Sequence, residues 1–477
     1  MAYDTLIIGA GMSGLAAGIR LAQFDRRVLI LERHSLWGGL NSFYKLKGRM
    51  FDSGLHALTN FAPRHAAGLP LTRILRQLRI PYEALKLGEQ AGSRLIHAGR
   101  EMRFNNDPRL FFEEFARVFP GEIDGLRRLV ADFPGYDAPP GGADCDDSAR
   151  ARLSQYIRDP AAIDCLMLPT CIYGSAREDD VDWDQFTFLF RAIFLEGFSR
   201  PEGGIKSLLD LLLGRLKAVG GELRTNCGVR RILTRTGSVT GVVLDSGEEI
   251  PCERVFSSAG HTETLRLLDP RDVPPAAPGR APAHADQSRA PRLSYFESIS
   301  VTAEAPAAYG HGDTVTFFNL GERFRYRVPT QDIDSESGVI CSPNNFARTT
   351  SLAEGMLRLT VLANHAHWTR LAPDEYAAAK QDAADRMLAA ATRAVPALSA
   401  LPPRVLMRDT FTPRTLEHYT GHLGGAVYGA PRKFRDGTSG VGRLSLIGTD
   451  QGMLGIIGAL LSGITIANHH VLAESLR

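Results

Sequence analysis

The sequence lacks most of the features that mark specialised protein classes. Lysine and arginine nowhere gather into a block, and 55 basic residues against 53 acidic ones leave a formal charge of only +2. That balance makes no case for a nucleic-acid partner. The basic residues are nearly all arginine, a skew that reflects codon composition more than function. Cysteine is scarce: Cys145, Cys165, Cys171, Cys227, Cys252 and Cys341 are scattered, with no CxxC pair and no metal-ligand spacing. They read as reduced thiols of a cytoplasmic protein without a metal centre. No run of 18 or more apolar residues marks a membrane span. No basic segment leads an apolar one at the N-terminus, as a secretory leader would require. A soluble protein is expected, with contact to a membrane surface left open. No internal repeat is visible, and nothing bears on oligomeric state.

What is present is a chain of 477 residues with ordinary globular composition, 44% hydrophobic and 23% charged. That length exceeds one simple core, so two domains are the natural expectation. The most informative segment comes first. An apolar run, Thr5-Leu6-Ile7-Ile8, meets Gly9-Ala10-Gly11-Met12-Ser13-Gly14; a helix-like stretch follows, then Val28-Leu29-Ile30-Leu31 and Glu32. Strand, glycine turn, helix, strand and acid arrive in the order a dinucleotide site needs. Gly9 allows the tight turn, Gly11 lets the backbone approach a pyrophosphate, and Gly14 lets helix and strand pack closely. The helix N-terminus offers free N–H groups to phosphate. Glu32 suits ribose hydroxyls and disfavours a 2′-phosphate.

The motif alone leaves NAD and FAD open. Gly38-Gly39 stands just past the acid, followed by Phe51-Asp52-Ser53-Gly54-Leu55-His56. An NAD domain has no need of a second glycine pair there. A flavin site does, because the chain must pass close to an extended FAD. By itself Gly38-Gly39 reads equally well as a surface turn.

Two later blocks belong with this one. Pro201-Glu202-Gly203-Gly204 opens a helix with apolar spacing from Leu208 to Leu216, closed by Gly220-Gly221. Short strands at 222–224, 229–233, 239–244 and 254–257 follow, with Asp245-Ser246-Gly247-Glu248 as a hairpin turn. Near the C-terminus, Leu444 to Ile447 reads as a buried strand, Gly448-Thr449-Asp450-Gln451-Gly452-Met453-Leu454-Gly455 as a turn, and Ile456 to Val471 as a small-residue helix. A helix N-terminus there suits the negative charge that a reduced flavin carries. Between the blocks, residues 65–199 read as mostly helical around a Pro/Gly/Asp loop from Pro134 to Asp147. Asp269 to Pro291 reads as an exposed Pro/Ala-rich excursion, 293–360 as sheet, and 374–394 as helix.

The run from Tyr3 to Thr59 resembles the FAD-binding start of the phytoene desaturase superfamily, and Phe51 to His56 is most similar to the retinol saturase and carotenoid isomerase branch. Phe411-Thr412-Pro413-Arg414-Thr415, Tyr419 to His422, Gly424-Gly425 and Tyr428-Gly429 look like the same branch. The resemblance covers about 40% of the chain, nearly all of it FAD domain. It implies an α/β fold in which a discontinuous Rossmann-like FAD-binding domain (1–65, 200–268, 416–477) carries an inserted α+β substrate domain (66–199, 269–415). It also implies FAD contacts from Gly9, Gly11, Met12, Ser13, Gly14, Glu32 and Arg33, and from Gly38, Gly39, Leu40, Asn41, Gly54, Leu55 and His56. Further along, it implies a backbone contact from Val229 to adenine, and contacts from Ala259, Gly260, Gly448, Asp450, Gly455, Ile456 and Ile457. Asp450 matches an acid that meets the ribityl or pyrophosphate region in many relatives.

Acid–base candidates are few. His56 belongs near the isoalloxazine if the resemblance holds, as a donor to flavin or substrate or as a structural hydrogen bond. His422 is a weaker candidate, and His469-His470 are expected to be exposed and inert. Asp52 suits pinning a turn or a cofactor hydroxyl better than proton transfer. Phe186, Phe190, Phe194 and Phe198 recur every four residues, so one helix face would be a row of rings. The plainer account is a domain core; the functional one is a channel wall for a long hydrocarbon or a lip touching membrane. The expected function is an FAD-dependent oxidoreductase acting on an apolar isoprenoid or polyene, with oxygen or a quinone as electron acceptor. The rivals are a flavin amine oxidase and a non-catalytic prenyl-lipid carrier.

Overall fold

In the computed structural model, which describes residues 2–136, 147–273 and 292–473, strand Tyr3–Ile8 lies inside a seven-stranded sheet. Val28–Leu31 and the end of Glu249–Ser257 flank it in parallel, Glu222–Arg224 adds to the first, and Leu444–Leu446 to the second. Val229–Arg235 and Ser238–Leu244 continue the sheet as an antiparallel meander. The apolar runs at Leu6–Ile8 and Val28–Leu31 are buried throughout, as parallel strands covered on both faces require. Helices Met12–Ala22, Gly204–Ala218 and Gly455–Ala467 pack together against this sheet. The first and last approach so closely that a Cβ at Gly463 would stand 2.1 Å from the Ser13 carbonyl oxygen.

From Gly455 through Leu472 the chain is long and apolar enough to cross a membrane, which the sequence expectation had missed. Small residues such as Gly458 and Ser462 had interrupted the apolar run. More than half of this helix (56%) is buried inside the fold, against the first helix, where it serves as core.

The second sheet has seven strands in the order Val405–Phe411, Ser294–Thr302, Gly355–Ala363, Ser337–Cys341, Val315–Asn319, Ser93–His97, Arg100–Phe104. All its pairings are antiparallel except that of Val315–Asn319 with Ser93–His97. Helix Pro373–Ala394 covers one face. Helices Pro108–Val118, Pro160–Gly174 and Trp183–Phe190 build a core on the other. The sequence reading of 65–199 as mostly helical therefore needs correction. Leu87–Glu89, Ser93–His97 and Arg100–Phe104 are strands, the last two joined by a tight turn at Ala98-Gly99, both with positive φ. Such short runs lie below the length at which periodicity separates strand from helix.

The phenylalanine row is core. Phe186, Phe190 and Phe194 follow one helix through the π turn Arg191–Leu195, and Phe198 lies beyond it; all four are buried, with Phe111 stacked on Phe194 and Phe104 edge-on to it. None lines the cavity described below, which rules out the channel-wall reading, and their burial rules out the membrane lip. Most of Pro134–Asp147 and Asp269–Pro291, and Cys145 with them, lie outside the described residues.

Candidate active site

The glycine turn forms as the sequence expects. Gly9 adopts φ +94°, and a Cβ at Gly14 would lie 2.1 Å from the Gly9 carbonyl oxygen, so the helix seats on the turn only without a side chain there. Gly11 begins the helix with no side-chain cap, which leaves the first-turn N–H groups at Met12, Ser13 and Gly14 for a ligand anion. Gly38 (φ +112°) donates its N–H to the Ala10 carbonyl at 2.9 Å, and Gly39 lies against Gly11, so the second glycine pair backs the first. The Glu32 carboxylate accepts from the Ala10 and His34 N–H groups, each at 2.9 Å. Each oxygen keeps a further lone pair for a ribose hydroxyl. Cys227 N–H donates to the Glu32 carbonyl at 2.8 Å, which brings Val229, the first residue of its strand, to the same edge. Arg33 reaches the His418 carbonyl at 2.8 Å and ties this edge to helix Pro413–Thr420.

Asp450 is buried and braces three loops. Its two oxygens accept from His261 N–H (2.6 Å), beside Ala259-Gly260, and from Ala430 N–H (2.7 Å). Gly448 N–H donates to Ser462 Oγ at 2.8 Å, locking the turn to the last helix. That helix, too, begins without a side-chain cap, at Leu454. Gly455 and Ile456 of its first turn line a cavity, while Ile457 turns into the core.

The cavity holds about 200 Å³ of water-accessible space between the two sheet-based halves. Leu40, Asn41, Gly54 and Ala459 line it beside Gly455 on the dinucleotide side. Ile172, Tyr173, Leu189, Val339, Phe411 and Tyr428 form a mostly apolar wall opposite. Strand register places polar side chains in that wall. Glu297 pairs with Thr360 across neighbouring strands, and Arg358, two residues from Thr360, shares their face.

His56 enters from the Phe51–His56 loop. Its Nε2 lies 3.0 Å from Thr360 Oγ1 and 3.3 Å from Glu297 Oε1. Arg358, fully buried, donates to Glu297 at 2.6 Å and to the Leu55 and Ser53 carbonyls at 2.9 and 2.7 Å. Arg200 donates to the Leu55 and His56 carbonyls, both at 2.8 Å, and pairs with Asp52. Asp52 also accepts from Ile205 N–H at 3.0 Å, so it pins the start of helix Gly204–Ala218. Cys341 Sγ donates to the His56 carbonyl at 3.4 Å, and burial pushes its thiol up to about 11. The Tyr173 ring lies tilted beside His56 at 6.0 Å, and its buried hydroxyl has no partner among the described residues.

Burial would raise the Glu297 carboxyl, but the Arg358 guanidinium and the His56 ring outweigh it and hold it down to about 2. Burial lowers His56 below its ordinary 6.5, with Glu297 pulling the other way. At neutral pH the site thus holds a carboxylate and a neutral imidazole. Lys433, pushed down to about 8 by burial, donates to the Tyr428 and Thr449 carbonyls at 2.5 and 3.0 Å and clamps the cavity rim.

His422, by contrast, contacts the Ala426 carbonyl at 3.1 Å away from the cavity lining. His469 is exposed, and His470 contacts the Asp436 carbonyl at 2.6 Å. Sequence reasoning missed Arg200, Glu297, Arg358, Thr360, Tyr173 and Lys433. A visible signal existed for one of them: Arg358 stands between Leu357 and Leu359 in an apolar strand.

Residues 7–75 match the NAD(P)-binding Rossmann-like domain. Three known proteins resemble the chain more widely. Prolycopene isomerase 2 (chloroplastic) of an Oncidium hybrid cultivar is 23% identical, covering 99% of this chain and 84% of its own. The neurosporene-forming phytoene desaturase of Rhodobacter capsulatus is 26% identical over 56% of this chain and 54% of its own. The all-trans-retinol 13,14-reductase of Danio rerio is 23% identical, covering 97% and 85%.

The chain resembles the phytoene desaturase-like superfamily of oxidoreductases. Its fold is shared more widely still. Cyclohexylamine oxidase from Brevibacterium oxydans superposes with a TM-score of 0.63 at 18% identity, over 100% of both chains. Within the superfamily, the Rossmann-like domain implies a flavin-type dinucleotide. The uncapped helix starts, the glycine cradle and the Glu32 lone pairs fit such a group.

Proposed function

We propose that the protein is an FAD-dependent oxidoreductase acting on a carbon of an apolar isoprenoid or polyene-like substrate, in the retinol saturase and carotenoid isomerase branch. The observation that carries this reading is the cavity itself. The open N-terminus of the last helix, at Gly455 and Ile456, meets a mostly apolar wall from Ile172 to Tyr428 across the cavity. Bound there, FAD would supply hydride acceptance or donation at a substrate carbon.

The chain's own residues provide the rest. Met12 to Gly14 offer N–H groups to the pyrophosphate, and Glu32 holds a ribose hydroxyl. The helix dipole at Gly455 favours negative charge on the cofactor. Leu189, Val339 and Phe411 keep water from the reacting carbon. In this reading segments 1–65, 200–268 and 416–477 form the FAD domain, and 66–199 with 269–415 form the substrate domain.

The amine oxidase alternative finds less support. Among the described lining residues the one carboxylate is Glu297, already neutralised by Arg358, so no free charge awaits an ammonium substrate. The carrier alternative conflicts with the intact glycine cradle.

Purification tests the assignment. The protein should carry the absorbance bands of oxidised flavin, and the released cofactor should be FAD. The Glu32→Ala variant should lose it readily on dialysis. A colourless protein that binds no added FAD would overturn the reading in favour of a carrier.

A further inference from the structure

Resting on that reading, we propose that His56 and Glu297 form a proton-handling dyad. His56 exchanges a proton with the substrate at Nδ1, and Glu297 is a positioning residue that holds the ring by its Nε2–H. An ionised carboxylate only accepts hydrogen bonds. The 3.3 Å contact to Glu297 Oε1 therefore puts the ring proton on Nε2, shared with Thr360 Oγ1 at 3.0 Å. Nδ1 is left with its lone pair, and no hydrogen bond to it is made by any described residue. Since His56 lines the cavity, that lone pair is the ring's acceptor for a bound molecule.

The surroundings fix this arrangement. The His56 carbonyl is held by Arg200 at 2.8 Å and Cys341 at 3.4 Å, so the loop does not swing. Arg358 keeps Glu297 ionised, and a proton taken by the ring stays on the ring instead of passing to the carboxylate. The other charged or titratable groups facing His56 are Asp52, paired with Arg200, and the Tyr173 phenol. Neither competes for Nε2.

The dyad gives the reaction a balanced form. When a carbon–carbon single bond becomes double, one carbon gives up a hydride, whose electron pair goes to the bound oxidised flavin. The C–H bond of the neighbouring carbon breaks, its pair becomes the π bond, and its proton forms a bond to His56 Nδ1. Glu297 then balances the imidazolium. Saturation runs the same proton in reverse, from a protonated ring. The neutral resting ring suits the direction that removes hydrogen.

The test uses the full-length flavin-loaded protein. With ¹⁵N-labelled histidine, wild-type His56 should show the neutral Nε2–H tautomer at pH 7 and titrate below 6.5. In Glu297→Gln the titration should move to lower pH, because the carboxylate favours the imidazolium. Anaerobic bleaching by phytoene should rise with pH through the same limb and then level off. His56→Gln should lower that plateau by about 10²-fold with flavin content unchanged. Glu297→Gln should shift the limb as well as reduce the rate, which a merely structural role would not do. An Nδ1–H tautomer, an unmoved limb, or a wild-type rate in His56→Gln would overturn the dyad. If Glu297→Gln does not fold, the wild-type tautomer and His56→Gln decide. If polyenes never bleach the wild type, the functional reading fails, while the tautomer still decides whether Glu297 holds His56.

Discussion

Three helices beside the second sheet and two in the dinucleotide half start in opposite ways. Around the second sheet the chain supplies its own anions: Asp107, Asp159 and Asp182 accept from first-turn N–H groups of helices Pro108–Val118, Pro160–Gly174 and Trp183–Phe190. In the dinucleotide half, the helices at Met12 and Gly455 begin with no side-chain cap. A cap contributes about 0.5–2 kcal/mol, so leaving two helix ends open at one cavity and one glycine turn forgoes stability that a bound anion can restore. The contrast extends to the means of recognition. The dinucleotide half acts through backbone geometry, while the opposite wall acts through buried side chains drawn from distant strands.

Four substitutions probe that contrast. Arg358→Met strikes the side-chain half by leaving Glu297 buried and unpaired, and should cost about 3–5 kcal/mol in a denaturant titration. A loss under 1 kcal/mol would mean that water reaches the pair. Gly14→Ala strikes the backbone half. Its new methyl would meet the Gly9 carbonyl at 2.1 Å, and the strain should cost about 1–3 kcal/mol and strip the flavin, read from the ratio of visible to protein absorbance. The smallest effects come from exchanging the two kinds of helix start. Asp107→Ala should cost about 1 kcal/mol in thermal stability and leave flavin content alone. Leu454→Asp, which puts a carboxylate at the open helix end, should make the bound flavin harder to reduce; an unchanged potential would show that this helix end does not face the cofactor.

The same contrast explains what the sequence disclosed. The turn from Gly9 to Glu32, the strand at Leu444 and the helix beyond Gly455 are local patterns, each written in consecutive residues whose spacing follows from backbone geometry. The meander from Val229 to Ser257 was legible for the same reason. The cavity's chemistry was not. His56 stood out as a lone histidine, but its partners come from positions 200, 297, 341, 358 and 360, joined only by strand register and loop closure. The strand Ser93–His97 was missed despite its local hairpin with Arg100–Phe104, because a run of five residues is too short for periodicity to separate strand from helix. The phenylalanine row read as core with a channel wall left as the alternative, because spacing reports a shared face without saying what covers it.

Anaerobic reduction of the purified flavoprotein tests the central claim most directly. Matched additions of polyene substrates such as phytoene and of amines such as putrescine would be followed at the oxidised flavin band. The account predicts bleaching by a polyene and none by amines; bleaching by amines alone would contradict it.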